Sequence, residues 1–414
     1  MLNSPLLSKS VDICFRQYAK LPAMIKPDLI ETPTVSRWWI LGLVHFSVLT
    51  FGVTLQMIPP ILGILVNTIG MTHTQAGALM GLFTLPGIFL ALPGGYLSDI
   101  IGTRKVGLMA FALMTSGTFL MIPLDPSFLF LGRALAGVGA GILVVVAPQI
   151  ISHRFLGREL GMAMGIFNTA VPLGTILAFN VMGRIGESWG IWVVITSTGG
   201  LSLVGLTAFY LTFADERPSA DISVPVSWSF SLRGLGKRIW IVSLVWTLFN
   251  ISLLAFFTFS IDFFSSCGYD QKTSGFLSSI PMIVSIFLAP LVGIALDRFG
   301  WRIMPLFISG LLCGVSIFLI FHDPLRAFLW ATTLGIGVSI IPPVVFTLAG
   351  EVVPAERAGL GFGLLSTLFN VGVFFGIPLI GSFRDMTGGY GPSFTAMALL
   401  AMATSAASLL LIKK

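Results

Sequence analysis

From residue 38 onward the chain is a succession of long apolar runs separated by short polar or glycine-bearing breaks. Twelve such runs stand out, at 38–67, 74–98, 105–122, 127–152, 160–182, 189–213, 240–264, 274–296, 303–321, 325–350, 359–383 and 393–412. They are continuous rather than alternating, and their lengths cluster around the ~20 residues a helix needs to cross a hydrocarbon core of about 30 Å. In lipid, backbone polar groups must be satisfied within their own segment, which leaves helices or a closed barrel. Unbroken runs decide for helices. The pattern predicts an all-α polytopic membrane protein with twelve transmembrane helices.

The breaks repeat. Shifted by 198 residues, Gly95 falls on Gly293, Asp99 on Asp297, Gly102 on Gly300 and Arg104 on Arg302. Asp125-Pro126 falls on Asp323-Pro324, and Gly70, Gly77, Gly137, Gly139, Gly165, Gly174, Gly183 and Gly190 fall on glycines as well. Glycine is common here, 46 of 414 residues, so single coincidences mean little. A fixed offset held over most of both halves, with two acids and an arginine in register, indicates duplication. The expected organisation is an N-terminal segment at 1–37, a six-helix bundle at 38–213, a linker at 214–237 and a pseudo-symmetric second six-helix bundle at 238–414.

Hydrophobic residues make up 55% of the chain and charged ones 10%. A soluble domain carries roughly 25% charge, and the mean hydropathy is +0.97. Lipid is therefore the expected solvent and the bilayer the first partner. Of the 23 Lys and Arg residues, eighteen fall on the side shared by both termini and the linker, and five elsewhere. Positive loops stay inside, so both termini are expected in the cytoplasm of a multi-pass protein of the cell (inner) membrane. That bias accounts for the pI of about 9.4 without a nucleic acid partner. The first 36 residues lack the short apolar stretch and cleavage site of a signal peptide and are expected to form a cytoplasmic tail. Cys14, Cys267 and Cys313 are isolated, so neither a disulfide framework nor a metal site is expected, and no cofactor motif occurs.

The most specific words are the two loops repeated at the offset: Gly95-Tyr-Leu-Ser-Asp99-Ile-Ile-Gly102-Thr-Arg104-Lys105 and Gly293-Ile-Ala-Leu-Asp297-Arg298-Phe-Gly300-Trp-Arg302. They resemble the signature of the major facilitator superfamily, a glycine, an acid, a second glycine and basic residues in a tight cytoplasmic turn. The first departs from it at Ile100 and Thr103, and the second at Trp301. Arg133-Ala-Leu-Ala-Gly137-Val-Gly139-Ala140 in the fourth run resembles the family's next motif. The resemblance implies a secondary transporter working by alternating access, monomeric, with two halves rocking about a mid-membrane site. It implies that spans one, four, seven and ten line the cavity, supported by two, five, eight and eleven. It also implies that Asp99 faces the start of span eleven near Ala355, and Asp297 the start of span five near Gly157. Each acid would there latch one half to the other beside a helix N-terminus.

Ionisable residues inside a membrane call for a partner or a task. Arg133 is a candidate to attract an anionic substrate or to shift the protonation of a neighbouring acid, against the alternatives that it snorkels outward or bonds carbonyls of span one. Asp262, set among Phe256, Phe257, Phe259, Phe263 and Phe264, is a candidate proton carrier, as is His45. The blander readings are a helix-end acid and a histidine bonded to a serine or a carbonyl. On the implied architecture, Gln56, Asn168, Asn250 and Asn370 converge near mid-depth, where amides bind a polar ligand without burying charge. Inter-helix hydrogen bonding is the alternative for each. Pro59-Pro60, Pro172 and Pro342-Pro343 mark helix breaks, and the alternating glycines of span four suit close helix contact.

No Walker motif appears, so an ion gradient, with the proton as coupling ion, is the expected energy source. The mid-span arginines that mark the family's nitrate carriers are missing from spans two and eight. Arg133 in a cavity of low charge favours a small organic anion of the monocarboxylate kind. Efflux of drug-like or apolar compounds is the alternative, and a non-transporting solute sensor is a second class. Motifs for an intramembrane enzyme are missing, so no enzymatic activity is expected.

Overall fold

The computed structural model of the chain describes residues 36–155, 159–213, 236–353 and 358–412, leaving aside the side chains of 91–100, 153, 161, 297, 358 and 359. The expected N-terminal tail and most of the expected linker fall outside the described residues. Within them every regular element is helical. In the first half α1 covers Arg37–Ile69, α2 His73–Ile101, α3 Thr103–Phe119, α4 Pro126–Phe155 and α6 Ile191–Thr212. Between α4 and α6, α5 is built from Leu160–Asn168, Ala170–Leu177, a π-helical Ala178–Met182 and Gly183–Trp189. The second half contributes α7 (Lys237–Ser266), α8 (Gln271–Phe299), α9 (Ile303–His322), α10 (Pro324–Val352), α11 (Ala358–Thr387) and α12 (Gly391–Leu409). Ten of the twelve are long and apolar enough to cross a membrane. The other two are α2, with 29 residues, and α3, with 17.

The helices pack as two related bundles. α1 packs on α5, α2 on α4, and α3 on both α4 and α6; the second half repeats each pairing as α7 on α11, α8 on α10, and α9 on both α10 and α12. The bundles meet where α2 lies along α11 and where α5 lies along α8, two pairings that the repeat relates to each other. The starts of odd-numbered helices and the ends of even-numbered ones, with the start of α1 and the end of α12 among them, define a terminal face. The other ends define the opposite face.

The repeated glycines now have physical reasons. Six described glycines have positive φ, and they form three pairs at the repeat offset: Gly70 and Gly268, Gly102 and Gly300, Gly190 and Gly388. Each turns the chain through a left-handed conformation that would strain an L side chain. Other pairs sit at close approaches. Gly77 faces the Ile377 carbonyl of α11, and Gly275 faces the Phe179 carbonyl of α5, the corresponding residue of the other copy. Gly137 and Gly139 of α4 abut the Phe83 and Ala110 carbonyls, so the alternating glycines serve close helix contact.

α1 is broken in the middle. Its regular helix ends at Leu55, and a short 3-10 turn at Pro59–Ile61 precedes a second helix, Leu62–Ile69. Pro59 and Pro60 have no N–H to offer the Leu55 and Gln56 carbonyls four residues earlier. That frees backbone acceptors inside the first bundle.

Candidate functional site

Arg133 takes up one of those acceptors, the Leu55 carbonyl, together with its neighbour, the Thr54 carbonyl. From α4 its NH1 donates to the Thr54 carbonyl at 2.6 Å and its NH2 to the Leu55 carbonyl at 3.0 Å. Nε donates to the Leu79 carbonyl of α2 at 3.1 Å, and the guanidinium lies 4.4 Å from the Phe83 ring centroid. The side chain is 0% exposed. Its charge is dispersed over three carbonyls and a π face, and it ties three helices together at the α1 break. The expected contact between Arg133 and an anionic substrate is therefore not made in this conformation: no surface of the guanidinium remains. The carbonyl-bonded alternative describes what is seen.

The expected amides occupy different settings. Asn250 of α7 and Asn370 of α11 are both 8% exposed, and each turns one N–H back to its own helix, to Trp246 O at 2.8 Å and Ser366 O at 2.9 Å. The other N–H and the carbonyl of each are left for further partners. A methyl group on Gly87 of α2 would lie 2.8 Å from Asn370 Nδ2, so this amide sits on the bundle boundary. Gln56 lies in the α1 break with its Oε1 buried and unpartnered. Asn168 is exposed at the joint between the first two pieces of α5 and is not gathered with the others. Beside Asn250 stands an aromatic wall: Trp246 packs edge-on to Phe346 of α10 at 5.2 Å and near Phe369 of α11 at 6.3 Å. His45 places Nδ1 3.1 Å from the Ile166 carbonyl of α5, the blander of its two expected settings.

The densest polar cluster joins the bundles at the opposite face. His73 opens α2 and lies between two carboxylates of the second bundle. Its Nδ1 is 3.0 Å from Asp385 Oδ1 on α11, and its Nε2 is 3.2 Å from Asp262 Oδ2 on α7. Tyr390, in the turn between α11 and α12, donates its phenol proton to Asp262 and also lies 3.2 Å from His73 Nε2. Burial, and after it the charge of Asp262, pushes the phenol above its ordinary range, which keeps it a donor. Asp385 also accepts the backbone N–H groups of His73 and Thr74 at 2.9 and 2.8 Å and the Thr74 hydroxyl at 2.6 Å. It thus caps α2 from the other bundle, adding to a capping box that Thr72 and Gln75 make locally. Arg384 lies over the Tyr390 ring at 4.7 Å.

Asp262 was expected to carry chemistry; His73, Asp385 and Tyr390 were not. Their residue types at helix ends look like ordinary caps and turns. Only Asp262 carried a signal, an acid inside an aromatic run.

The repeated motif holds the terminal face. Gly102 precedes α3 with φ 91°, and Gly300 ends α8 with φ 67°, while Gly95 lies within α2 and Gly293 within α8. Arg104 donates to the Tyr210 carbonyl at 3.1 Å, and Arg298 is exposed beside Phe299. Arg302 pairs with Glu351 of α10 at 3.1 Å and donates to the Leu296 carbonyl at 2.6 Å. The Arg302–Glu351 pair stays within its bundle, as does the Arg37–Glu159 pair of the first half. The side chains of Asp99 and Asp297, together with Gly157 and Ala355, lie outside the described residues, so the expected latches are not visible.

Comparison with known proteins agrees with this architecture. The model of the Major Facilitator Superfamily matches residues 44–376 and 264–414. An uncharacterised MFS-type transporter of Methanocaldococcus jannaschii is 24% identical over 80% of this chain and 87% of that protein. The human lysosomal dipeptide transporter MFSD1 is 21% identical over 72% of this chain and 70% of its own. A probable nitrate transporter, NarT, of Staphylococcus haemolyticus is 23% identical over 84% and 89%. Among solved structures, a peptide transporter POT in complex with sulfate superimposes with a TM-score of 0.74 at 16% identity, covering 92% of this chain and 98% of that one. On the family match, the twelve helices and the duplicated bundles, the chain belongs to the major facilitator superfamily of membrane transporters.

Proposed function

We propose that the protein is a secondary active transporter that moves a small carboxylate-bearing solute by alternating access, with the proton as coupling ion. One observation carries this reading: described polar contacts across the bundle boundary gather toward the opposite face, at His73 with Asp262 and Asp385 on one side and at Gln271 with Pro60 and Asn180 with Ser279 on the other. Such a boundary suits two rigid halves that pivot about a mid-membrane site. Gln56, Asn250 and Asn370 are the groups we assign to solute binding, since they leave amide donors and acceptors unspent without burying a charge. Arg133 acts at one remove, by holding the α1 break that carries Gln56. Asn168 and His45 have no part in the site as we read it. Asp262 is the proton carrier we favour, because it sits at the boundary with a histidine partner.

For the substrate, named relatives carry dipeptides or nitrate. A carboxylate-bearing solute, from a monocarboxylate to a short peptide, fits the first. The second is disfavoured by the missing mid-span arginines. Orientation follows the positive-inside bias, with the terminal face in the cytoplasm of the cell membrane, and the protein acts as a monomer. The Asp99 and Asp297 turns brace the terminal face when the other face opens.

The test is flux into proteoliposomes. Labelled lactate and a labelled dipeptide should accumulate under an inward proton gradient and cease to do so when an ionophore collapses it. Binding without flux would make the protein a sensor instead. A second reading, efflux of drug-like compounds, draws on the Trp246, Phe346 and Phe369 wall. Drug resistance in an overexpressing host, with no carboxylate flux, would favour it.

A further inference from the structure

We propose that closing the opposite face binds one proton at the corner where His73 meets Asp262 and Asp385, so that pH itself sets the balance between the two conformations. The inference rests on the rocking of the bundles but not on the identity of the solute. It also holds whether or not that proton is carried across.

Proton counting leads to it. A neutral imidazole has one donor and one acceptor nitrogen, and an ionised carboxylate has no proton to give. Here both ring nitrogens face carboxylate oxygens, at 3.0 and 3.2 Å. The single phenol proton of Tyr390 is directed at Asp262 and cannot also serve Nε2. The closed cluster is therefore satisfied only with a proton beyond those the separated groups hold in neutral water. Whether that proton makes an imidazolium or a carboxylic acid, the count is the same.

Charge agrees. Among the described residues, α7 contributes Asp262, α11 contributes Asp385 and Arg384, the following turn contributes the neutral Tyr390, and α1 contributes only Gly63. Two carboxylates and one guanidinium leave a single negative charge, which one proton at His73 cancels. The site is sheltered: the side chain of His73 is 10% exposed and that of Asp262 is 21% exposed. Opening would hydrate all three groups, and an imidazole in water exchanges its proton between about pH 5 and 8. Closure then takes up a proton, and the closed-to-open ratio rises by up to about tenfold for each unit the pH falls.

The experiment measures that ratio in the full chain, with Cys14→Ser and Cys267→Ser, in lipid nanodiscs. Ser127→Cys and Leu325→Cys, both exposed and one in each bundle, place spin labels across the opposite face. Lys105→Cys and Met304→Cys do the same on the terminal face. Distances between labels are read by pulsed electron resonance from about pH 8.5 to about pH 5.5, a range that spans histidine titration. The expected result is a growing short-distance population on the opposite face and a reciprocal lengthening on the terminal face as pH falls, steepest on the alkaline side and levelling off below about pH 6.5, where an imidazole in water already holds its proton. His73→Gln should cut that slope to less than about twofold over the whole range, and Asp385→Asn, which keeps one of the two capping oxygens on α2, should lower it as well. A wild-type ratio indifferent to pH, or a His73→Gln protein with the wild-type slope, overturns the proposal while rocking survives. Two label pairs that stay fixed in every variant and condition sink the rocking, and this inference with it.

Discussion

At the opposite face the duplication builds two corners from the same backbone and fills them with different chemistry. Where α2 meets α11, His73 bridges two carboxylates, and Asp385 caps the helix from across the boundary. Where α8 meets α5, Gln271 stands at the position of His73 and Glu187 at that of Asp385. Gln271 Nε2 donates to the Pro60 carbonyl at 2.7 Å. Glu187, Arg184 and Lys272 border an open cavity of roughly 410 Å³ beside it. Equivalent glycines stand at both corners, Gly381 against the His73 backbone and Gly183 against the Gln271 side chain. Duplication therefore fixes where the halves touch, and side chains added to one corner decide what the contact responds to. The α2–α11 corner joins ionisable groups of both halves, and the α5–α8 corner is an uncharged contact with solvated charges at its rim.

The same inequality runs through the bundle centres, and the largest expected effect lies there. Arg133 on α4 corresponds to Ala331 on α10. Arg133→Ala would leave the Thr54 and Leu55 carbonyls of the α1 break buried without donors, at about 1–3 kcal/mol each, while the Leu79 carbonyl keeps its own helix's hydrogen bond. Thermal unfolding in detergent should show the loss as a large fall in Tm, on the order of several kcal/mol before relaxation. Arg133→Lys should recover only part of it, because an ammonium cannot span three carbonyls in a plane. A variant that unfolds at the wild-type temperature yet no longer binds a carboxylate would reverse this assignment and restore Arg133 to the solute.

The next effect separates the corners directly. Asp385→Ala removes three hydrogen bonds to the start of α2 and one partner of His73. Loss of a helix cap alone amounts to about 0.5–2 kcal/mol, and the charged partner adds to it. Glu187→Ala, at the matching position, lies at an exposed rim, and such surface changes stay within about 0.5 kcal/mol. Chemical or thermal unfolding of the two variants side by side checks the difference. Equal losses would mean that both corners are braces and that the charged one has no special standing.

How much of this could be read in the chain depends on what a residue's signal requires. The fold was legible because glycines at positive φ and at close helix approaches must recur wherever the backbone recurs, so Gly70, Gly102 and Gly190 announced their partners. Arg133 was legible as an ionised residue needing company, and its company was named among the alternatives. Asp262 was legible because a carboxylate among phenylalanines is out of place. His73 was not. Thr72-His73-Thr74-Gln75 reads as a capping segment, and it is one. Asp385 lies more than 300 residues further along, near the end of another helix. Nothing in local periodicity tells which helix ends of two bundles will touch. That is fixed by the pairing of α2 with α11, which arises only once both bundles are folded and joined.

The smallest expected effect asks whether chemistry alone distinguishes the corners. Gln271→His places an imidazole at the position equivalent to His73, with Glu187, Asp270 and Arg184 bordering the same cavity. If a histidine near an acid were enough, this variant would acquire a second pH-sensitive closure and a steeper pulsed-resonance response. The surroundings argue otherwise. Glu187 is exposed, Asp270 is exposed and already accepts the Thr273 N–H at 3.2 Å as the cap of its own helix, and Arg184 offers a competing positive charge. Solvent-exposed ion pairs amount to about 0–1 kcal/mol, less in salt. The slope should therefore change by well under the contribution of one proton. Without the amide's hydrogen bond to the Pro60 carbonyl, the balance should shift slightly toward the open state at every pH. A full additional proton in the response would show that shelter by Tyr390 and capping of α2 are dispensable, and that the two corners differ only by the residue at one position.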